Sequence, residues 1–274
     1  MLINDFGRVN IDAVEFEGKS NSLVELTNGS IFCSCLKDDF ITSLALLLDY
    51  EKDIILIEGS GLSDPSNMQD VLKVLANTTE KGFRFLGSVC ILDGQYFLKE
   101  VQAMESVVRQ ISHSQLAVLN KTDLIDEDTR VEIREKTRSI NSEIAIVETT
   151  HGSVSPAEVI RILGATLNAS ETLESLNTPE NRPLTLTANF HDIQDKSDLL
   201  AILKKILPHT ERMKGFVWIG SQLYKAESVQ DTIEIQPANM RTLKNIGFVI
   251  ILKNGMASLR EIQKMELERI RIQL

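Results

Sequence analysis

The chain has 274 residues, 43% of them hydrophobic and 25% charged, with a formal net charge of −10. That is enough apolar material for one large core or two modest ones. The acidic balance argues against nucleic acid as the main ligand, because phosphate neutralisation needs clustered Lys and Arg. No apolar run approaches the roughly eighteen residues of a membrane span, and the opening MLINDFGRVN lacks the basic-then-apolar pattern of a signal peptide. Three cysteines, Cys33, Cys35 and Cys90, are too few for a disulfide framework, so a cytoplasmic protein is expected.

In chain order, Asp38 and Asp39 precede an aliphatic-rich helix over Phe40–Leu48. Ile54–Ile57 is a continuous apolar run ending at Glu58, the first of four such runs. The others are Val89–Leu92 before Asp93, Leu116–Leu119 before Asn120, and Ile144–Val147 before Glu148. Continuous runs suit parallel strands buried on both faces. The polar residue after each falls at the carboxyl edge of the sheet, where ligands bind in α/β folds. Between the runs, Asp64-Pro65 reads as an N-cap with proline at the first helical position. Leu98–Ile111 and Thr129–Ile140 have helical periodicity, and Ser155-Pro156-Ala157-Glu158 is a capping box opening another helix. Residues 168–183 (NASETLESLNTPENRP) are polar and aperiodic, as in a linker. Beyond them, Leu184–Asn189 alternates like a half-buried strand and Asp195–Leu207 is helical up to Pro208. Phe216–Ile219, Leu223–Ala226, Thr232–Ile235 and Phe248–Leu252 read as strands, and Ser258–Ile272 as an amphipathic closing helix. Phe216 and Trp218 are expected in the core.

Three strings carry chemistry. Asn120-Lys121-Thr122-Asp123 follows a buried strand. It is similar to the NKxD tetrad with which P-loop GTPases recognise guanine, where the Asp accepts from the ring N–H and exocyclic amine, the Asn supports the loop, and the Lys stem covers the ring. An ordinary strand-to-helix turn has the same composition, so the structural context decides. In Ile57-Glu58-Gly59-Ser60-Gly61-Leu62, Glu58 can hold Mg²⁺ or position an attacking water, and Gly61 permits close approach to a γ-phosphate. A plain strand–turn–helix capped by Asp64 explains the same residues. Cys33 and Cys35, one residue apart, can bind a soft or borderline metal with help from Asp5, Asp38, Asp39, a histidine or a second subunit. Two inert buried cysteines are the alternative. A thioredoxin-like redox pair lacks its CxxC spacing.

Taken in order, these strings resemble the CobW family of P-loop GTPases. The family's NEFGxxGID switch is matched by Asn4–Asp12, its NGCICC segment by Asn28–Cys33, and its IExxGLADP element by Ile57–Pro65. Leu92-Asp93 matches a strand ending in Val-Asp, Leu119–Leu124 the LNKtDL element, and Thr150-His151-Gly152 a THG element. Arg212–Trp218 matches the RxKGfvw string. The resemblance implies a P-loop NTPase-like, mostly parallel α/β core over 1–170, incomplete at its N-terminus. A linker over 171–182 and a smaller α+β domain over 183–274 complete the expected organisation. It implies a GTP-dependent metal chaperone with GTP, Mg²⁺ and a divalent cargo, Zn²⁺ or Co²⁺, serving zinc homeostasis, cobalamin biosynthesis or metalloenzyme maturation. Asn120, Lys121, Asp123, Gly61 and His151 would contact nucleotide, Glu58 would assist hydrolysis, and Cys33, Cys35 and Asp5 would hold metal. A client metalloprotein is the expected partner, with a homo-oligomer or a separate chain bearing the phosphate loop as further partners.

Two departures qualify the resemblance. The family's GxxGxGK[ST]T loop does not occur in the sequence. Truncation, a phosphate loop on a separate chain, or a paralogue without hydrolysis would each explain this, and the intact tetrad favours truncation. A non-catalytic metal- or partner-binding module, or one subunit of a split GTPase, is the rival reading. The resemblance implies that the unit carrying this loop also supplies a central strand of the sheet, so its loss would leave Ile54–Ile57 without a neighbour. In the metal motif, Ser30 and Phe32 stand where the first two cysteines belong and only Cys33 is kept, so the metal's identity does not carry over.

Overall fold

The computed structural model describes residues 2–4, 24–26, 31, 37–50, 52–165, 183–229, 231–238, 247–265, 267 and 269–273. These fall in two compact units, one within Met1–Ile31, Tyr50–Ser60 and Thr178–Leu274, the other within Phe32–Asp49 and Gly61–Asn177. Asp5, Cys33, Cys35 and the expected linker over 171–182 lie outside the described residues.

The second unit is built on a parallel sheet of β4 (Val89–Asp93), β5 (Leu116–Asn120) and β6 (Ala145–Glu148), with β5 in the middle. Ala117 and Leu119 of β5 meet Phe97 and Val101 of α3 (Phe97–Ala103), Ile111 of α4 (Glu105–Ser112) and Ile133 of α5 (Glu127–Ile140). Leu116 and Val118 point the other way, onto Leu163 of α6 (Pro156–Ala165). Two-faced burial therefore holds for β5. It fails for β4, whose Val89 and Ile91 are exposed while Cys90 and Leu92 are buried. The sequence run is equally apolar, but among the described residues β4 pairs with β5 alone and its buried residues face helices on one side. Two further helices, α1 (Lys37–Asp49) and α2 (Met68–Thr78), pack on each other. A 3₁₀ turn, Pro65–Asn67, leads into α2, and buried Asp64 caps it by accepting from Ser66 N at 3.0 Å. Asp38 and Asp39 lie inside the first turn of α1 rather than ahead of it. The periodicity over Leu98–Ile111 is cut into α3 and α4 at Met104, whose extended backbone (φ −125°, ψ 110°) ends the first helix.

The first unit holds two sheets. β1 (Leu2–Asn4) pairs in parallel with β2 (Val24–Leu26) and with β3 (Ile57–Glu58). The run Ile54–Ile57 thus does have a neighbour. Only its last residue is in the strand, however, and Ile54 and Leu56 are exposed, so two-faced burial fails here as well. β1 and β2 are too short for periodicity to announce.

The other sheet is antiparallel, in the order β10-β9-β8-β11-β7-β12. Its strands are β7 (Thr185–Phe190), β8 (Thr210–Ile219), β9 (Gln222–Val229), β10 (Thr232–Pro237), β11 (Phe248–Leu252) and β12 (Ile270–Gln273). One face buries Met213, Val217, Phe248 and Ile250 against Leu199, Leu203 and Ile206 of α7 (Lys196–Ile206) and Leu259 and Ile262 of α8 (Met256–Lys264). The single closing helix expected over Ser258–Ile272 is instead α8 followed by β12. Ile270 and Ile272 alternate with Arg271 and Gln273, and that two-residue period pairs β12 with β7. Phe216 is buried as expected, whereas Trp218, beside the hairpin turn from β8 to β9, is 47% exposed. The architecture is α/β with parallel sheets plus a separate antiparallel sheet region in the C-terminal part. Among the described residues no helix is long and apolar enough to cross a membrane.

Candidate functional site

The carboxyl ends of β4, β5 and β6 bring together most of the expected nucleotide-contacting residues. Asp93 and Asn120 are register partners at the ends of β4 and β5. Asn120 Oδ1 accepts from Gly152 N at 2.9 Å, which ties the tetrad to the loop after β6. Lys121 sits in the left-handed region (φ 59°, ψ 35°), where a non-glycine residue is strained by about 1–2 kcal/mol. Its Nζ donates to Asp93 Oδ2 at 2.7 Å, and Asp93 Oδ1 accepts from Gln95 N at 3.0 Å. Close approach is required at Gly94. A Cβ there would lie 3.0 Å from both the Asn120 carbonyl oxygen and Ile125 Cδ1.

Thr122 anchors the tetrad. Its N–H and its hydroxyl both donate to the Thr149 carbonyl, at 3.3 and 3.0 Å, and its own carbonyl accepts from Arg130 Nη2 at 2.7 Å. Leu124 N closes a 3₁₀ turn on Lys121 O at 3.1 Å. Held this way, Asp123 projects from the first turn into solvent. His151 (φ 52°) and Gly152 (φ 65°) form the second, exposed loop, stabilised by Thr149 Oγ1 donating to Ser153 O at 2.9 Å. The result is a carboxylate, an ion-paired lysine and a histidine loop at one sheet edge. Such a set can accept two N–H donors from a planar base and cover its face.

The remaining candidates are placed differently. Gly61 is exposed in the turn before Pro65, and its carbonyl accepts from Gln110 Nε2 at 3.1 Å, as the Ser63 carbonyl does at 2.8 Å. Glu58 ends β3 in the first unit with its side chain exposed. Asp5, Cys33 and Cys35 lie outside the described residues, among which no cluster of three or more His, Cys, Asp or Glu could hold a metal ion. His113 is buried at the end of α4, its Nδ1 3.0 Å from the Arg109 carbonyl, consistent with packing. Sequence reasoning singled out neither Asp93 as the partner of Lys121, nor Thr149 and Arg130 as anchors of Thr122. The Leu92-Asp93 strand end was the one available signal.

The sequence matches the family model described as CobW/HypB/UreG, nucleotide-binding domain, over residues 1–148. Among curated relatives, the zinc chaperone CobW of a Sinorhizobium species is 28% identical over 57% of this chain and 52% of its own length. The zinc chaperone YjiA of Escherichia coli is 24% identical over 81% of this chain and 73% of its own length. The zinc-regulated GTPase metalloprotein activator 1 of Dictyostelium discoideum is 24% identical over 81% of this chain and 57% of its own length. The chain therefore spans about half the length of the Sinorhizobium protein. The Zn(II)-bound YjiA GTPase from E. coli is a solved structure with 16% identity and a TM-score of 0.43, covering 97% of this chain and 88% of that one. With the family model matching more than half of its residues, the chain belongs to the CobW/HypB/UreG nucleotide-binding family.

Proposed function

We propose that this chain acts as a GTP-dependent metal chaperone of the CobW type, delivering a divalent metal to a client metalloprotein. The observation that carries the reading is the strand-end loop itself. Its Asn120 is bonded to Gly152, Lys121 is held by Asp93, and Asp123 is presented to solvent. The relatives, zinc chaperones and zinc-regulated GTPase metalloprotein activators by name, support the same reading.

In this proposal Asp123 accepts from the guanine ring N–H and exocyclic amine, the Lys121 stem covers the base, and His151 borders it. Gly61 lies beside the γ-phosphate. Glu58 orients the water that attacks the γ-phosphorus, and the bond to the departing GDP breaks to release inorganic phosphate. Bound Mg²⁺ supplies charge neutralisation at the phosphates. The residues proposed for the cargo are Cys33, Cys35 and Asp5, with Zn²⁺ the first choice from the relatives' names and Co²⁺ the second. A cytoplasmic location follows from the same reading, and 1–170, 171–182 and 183–274 are the proposed core, linker and C-terminal domain.

Nucleotide-coupled metal handling requires different metal affinities in the two nucleotide states. Chelator competition should show Zn²⁺ affinity differing by about tenfold or more between the GDP form and a non-hydrolysable GTP analogue with Mg²⁺. Equal affinities in the two states would contradict the proposal.

A further inference from the structure

We infer that Arg130 is a positioning residue for base specificity, fixing the turn that presents Asp123 by gripping the Thr122 carbonyl; this rests on the guanine reading above. The Leu124 N–H bond to the Lys121 carbonyl at 3.1 Å closes that turn but leaves the Thr122 carbonyl inside it unheld by the tetrad. Thr122 has its N–H and hydroxyl tied to Thr149, but those bonds fix only one side of the residue. The peptide joining Thr122 to Asp123 is oriented by its carbonyl, and Arg130 Nη2 donates to that oxygen at 2.7 Å. A charged donor makes one of the stronger classes of hydrogen bond.

Arg130 is itself held by two carboxylates, one on each side of the loop. Its Nη1 lies 3.6 Å from Glu127 Oε2 and 3.9 Å from Glu148 Oε2. Arg134 bridges the same two acids, from Nη2 to Glu127 Oε1 at 2.8 Å and from Nη1 to Glu148 Oε1. Glu148 directly precedes Thr149, the other anchor of Thr122. The first turns of α5, the end of β6 and the tetrad are thereby joined through one guanidinium. Arg130 Nε is buried with no hydrogen-bond partner among the described residues. Leaving a donor unsatisfied is costly, and a side chain placed only for solubility would turn Nε towards water. The Nη2 bond to Thr122 is what the buried pose secures.

Two readouts separate this role from general stability. In the nucleotide-free chain, hydrogen exchange at the Thr122 and Leu124 amides should be roughly tenfold faster in Arg130→Ala. Arg134→Ala, which keeps the Thr122 bond, should leave exchange there unchanged. With nucleotide, the wild type should prefer GDP over IDP, which lacks the exocyclic amine that Asp123 accepts from. Arg130→Ala should lose most of that preference, and Arg130→Lys, retaining a charged donor, should recover part of it and serves if the alanine variant fails to fold. Unchanged exchange in Arg130→Ala overturns the inference. So does faster exchange with an unchanged GDP/IDP ratio, which would make Arg130 merely structural. If the wild type binds neither GDP nor IDP, the function proposed above falls, and the exchange result alone decides whether Arg130 fixes the turn.

Discussion

Lys121 occupies a backbone region that costs a non-glycine residue, and its ammonium is spent on Asp93 rather than left to solvent. At 39% and 21% side-chain exposure this ion pair is screened, so its share of folding stability is small, about 0–1 kcal/mol. What it supplies is direction: the ion pair ties the lysine at the end of β5 to the end of β4. Asp93→Ala should therefore leave the urea midpoint almost unmoved and weaken guanine nucleotide binding by roughly three- to tenfold. A large stability loss with unchanged affinity would reverse that assignment. Cys90, on the buried face of β4, is a thiol of another kind. Burial pushes its pKa from 9.0 to about 11, with a Ser114 hydrogen bond opposing the rise. The folded state thus keeps the proton where the unfolded chain has lost it, so stability is full below about pH 9 and falls as pH rises to about 11. The loss should reach about 2–3 kcal/mol. It is measured as the difference in pH dependence between the wild type and Cys90→Ala, and identical slopes would contradict it.

Among the elements, the turn before α2 depends on one buried carboxylate. Asp64 accepts from the Ser66 amide and hydroxyl, and Pro65 presets the first helical position. Asp64→Ala should cost about 1–2 kcal/mol in chemical denaturation. In the antiparallel sheet, Gly215 lets β8 and β11 approach. A Cβ there would lie 2.5 Å from both the Gly247 carbonyl oxygen and Phe248 Cα, which are backbone atoms that cannot rotate away. Gly215→Ala should destabilise by about 3 kcal/mol or more, read by the same denaturation, and a neutral result would mean the strands can separate locally. These elements also show where sequence is readable. The Asp64-Pro65 cap, the Ser155–Glu158 helix start and β5 are local patterns, and all three appear where the pattern puts them. The exposure of Ile91 is not local, because it depends on which neighbours β4 has rather than on the apolarity of the run. The split of α3 from α4 and the strand character of β12 were hidden by apolar spacings that both periodicities tolerate over short windows.

Across the whole molecule, the same division governs the candidate site. Asn120, Lys121 and Asp123 fall within four consecutive residues, so one short string announces them. Their supports, Asp93, Thr149 and Arg130, come from three other places in the chain and become visible only when the strands are aligned. Cys33, Cys35 and Asp5, which the sequence offers as candidate metal ligands, lie outside the described residues. The family assignment rests on residues 1–148, and the metal-handling function stays a proposal built on that family and on the sheet-edge loop. The loop's reading of guanine is the claim on which the rest depends. The direct measurement is titration of the chain with fluorescent GDP and ADP, repeated with Asp123→Ala. The account predicts binding of the guanine nucleotide in clear preference to the adenine one, weakened about tenfold or more by the substitution. Equal binding of the two bases, or guanine binding untouched by the loss of Asp123, would contradict it.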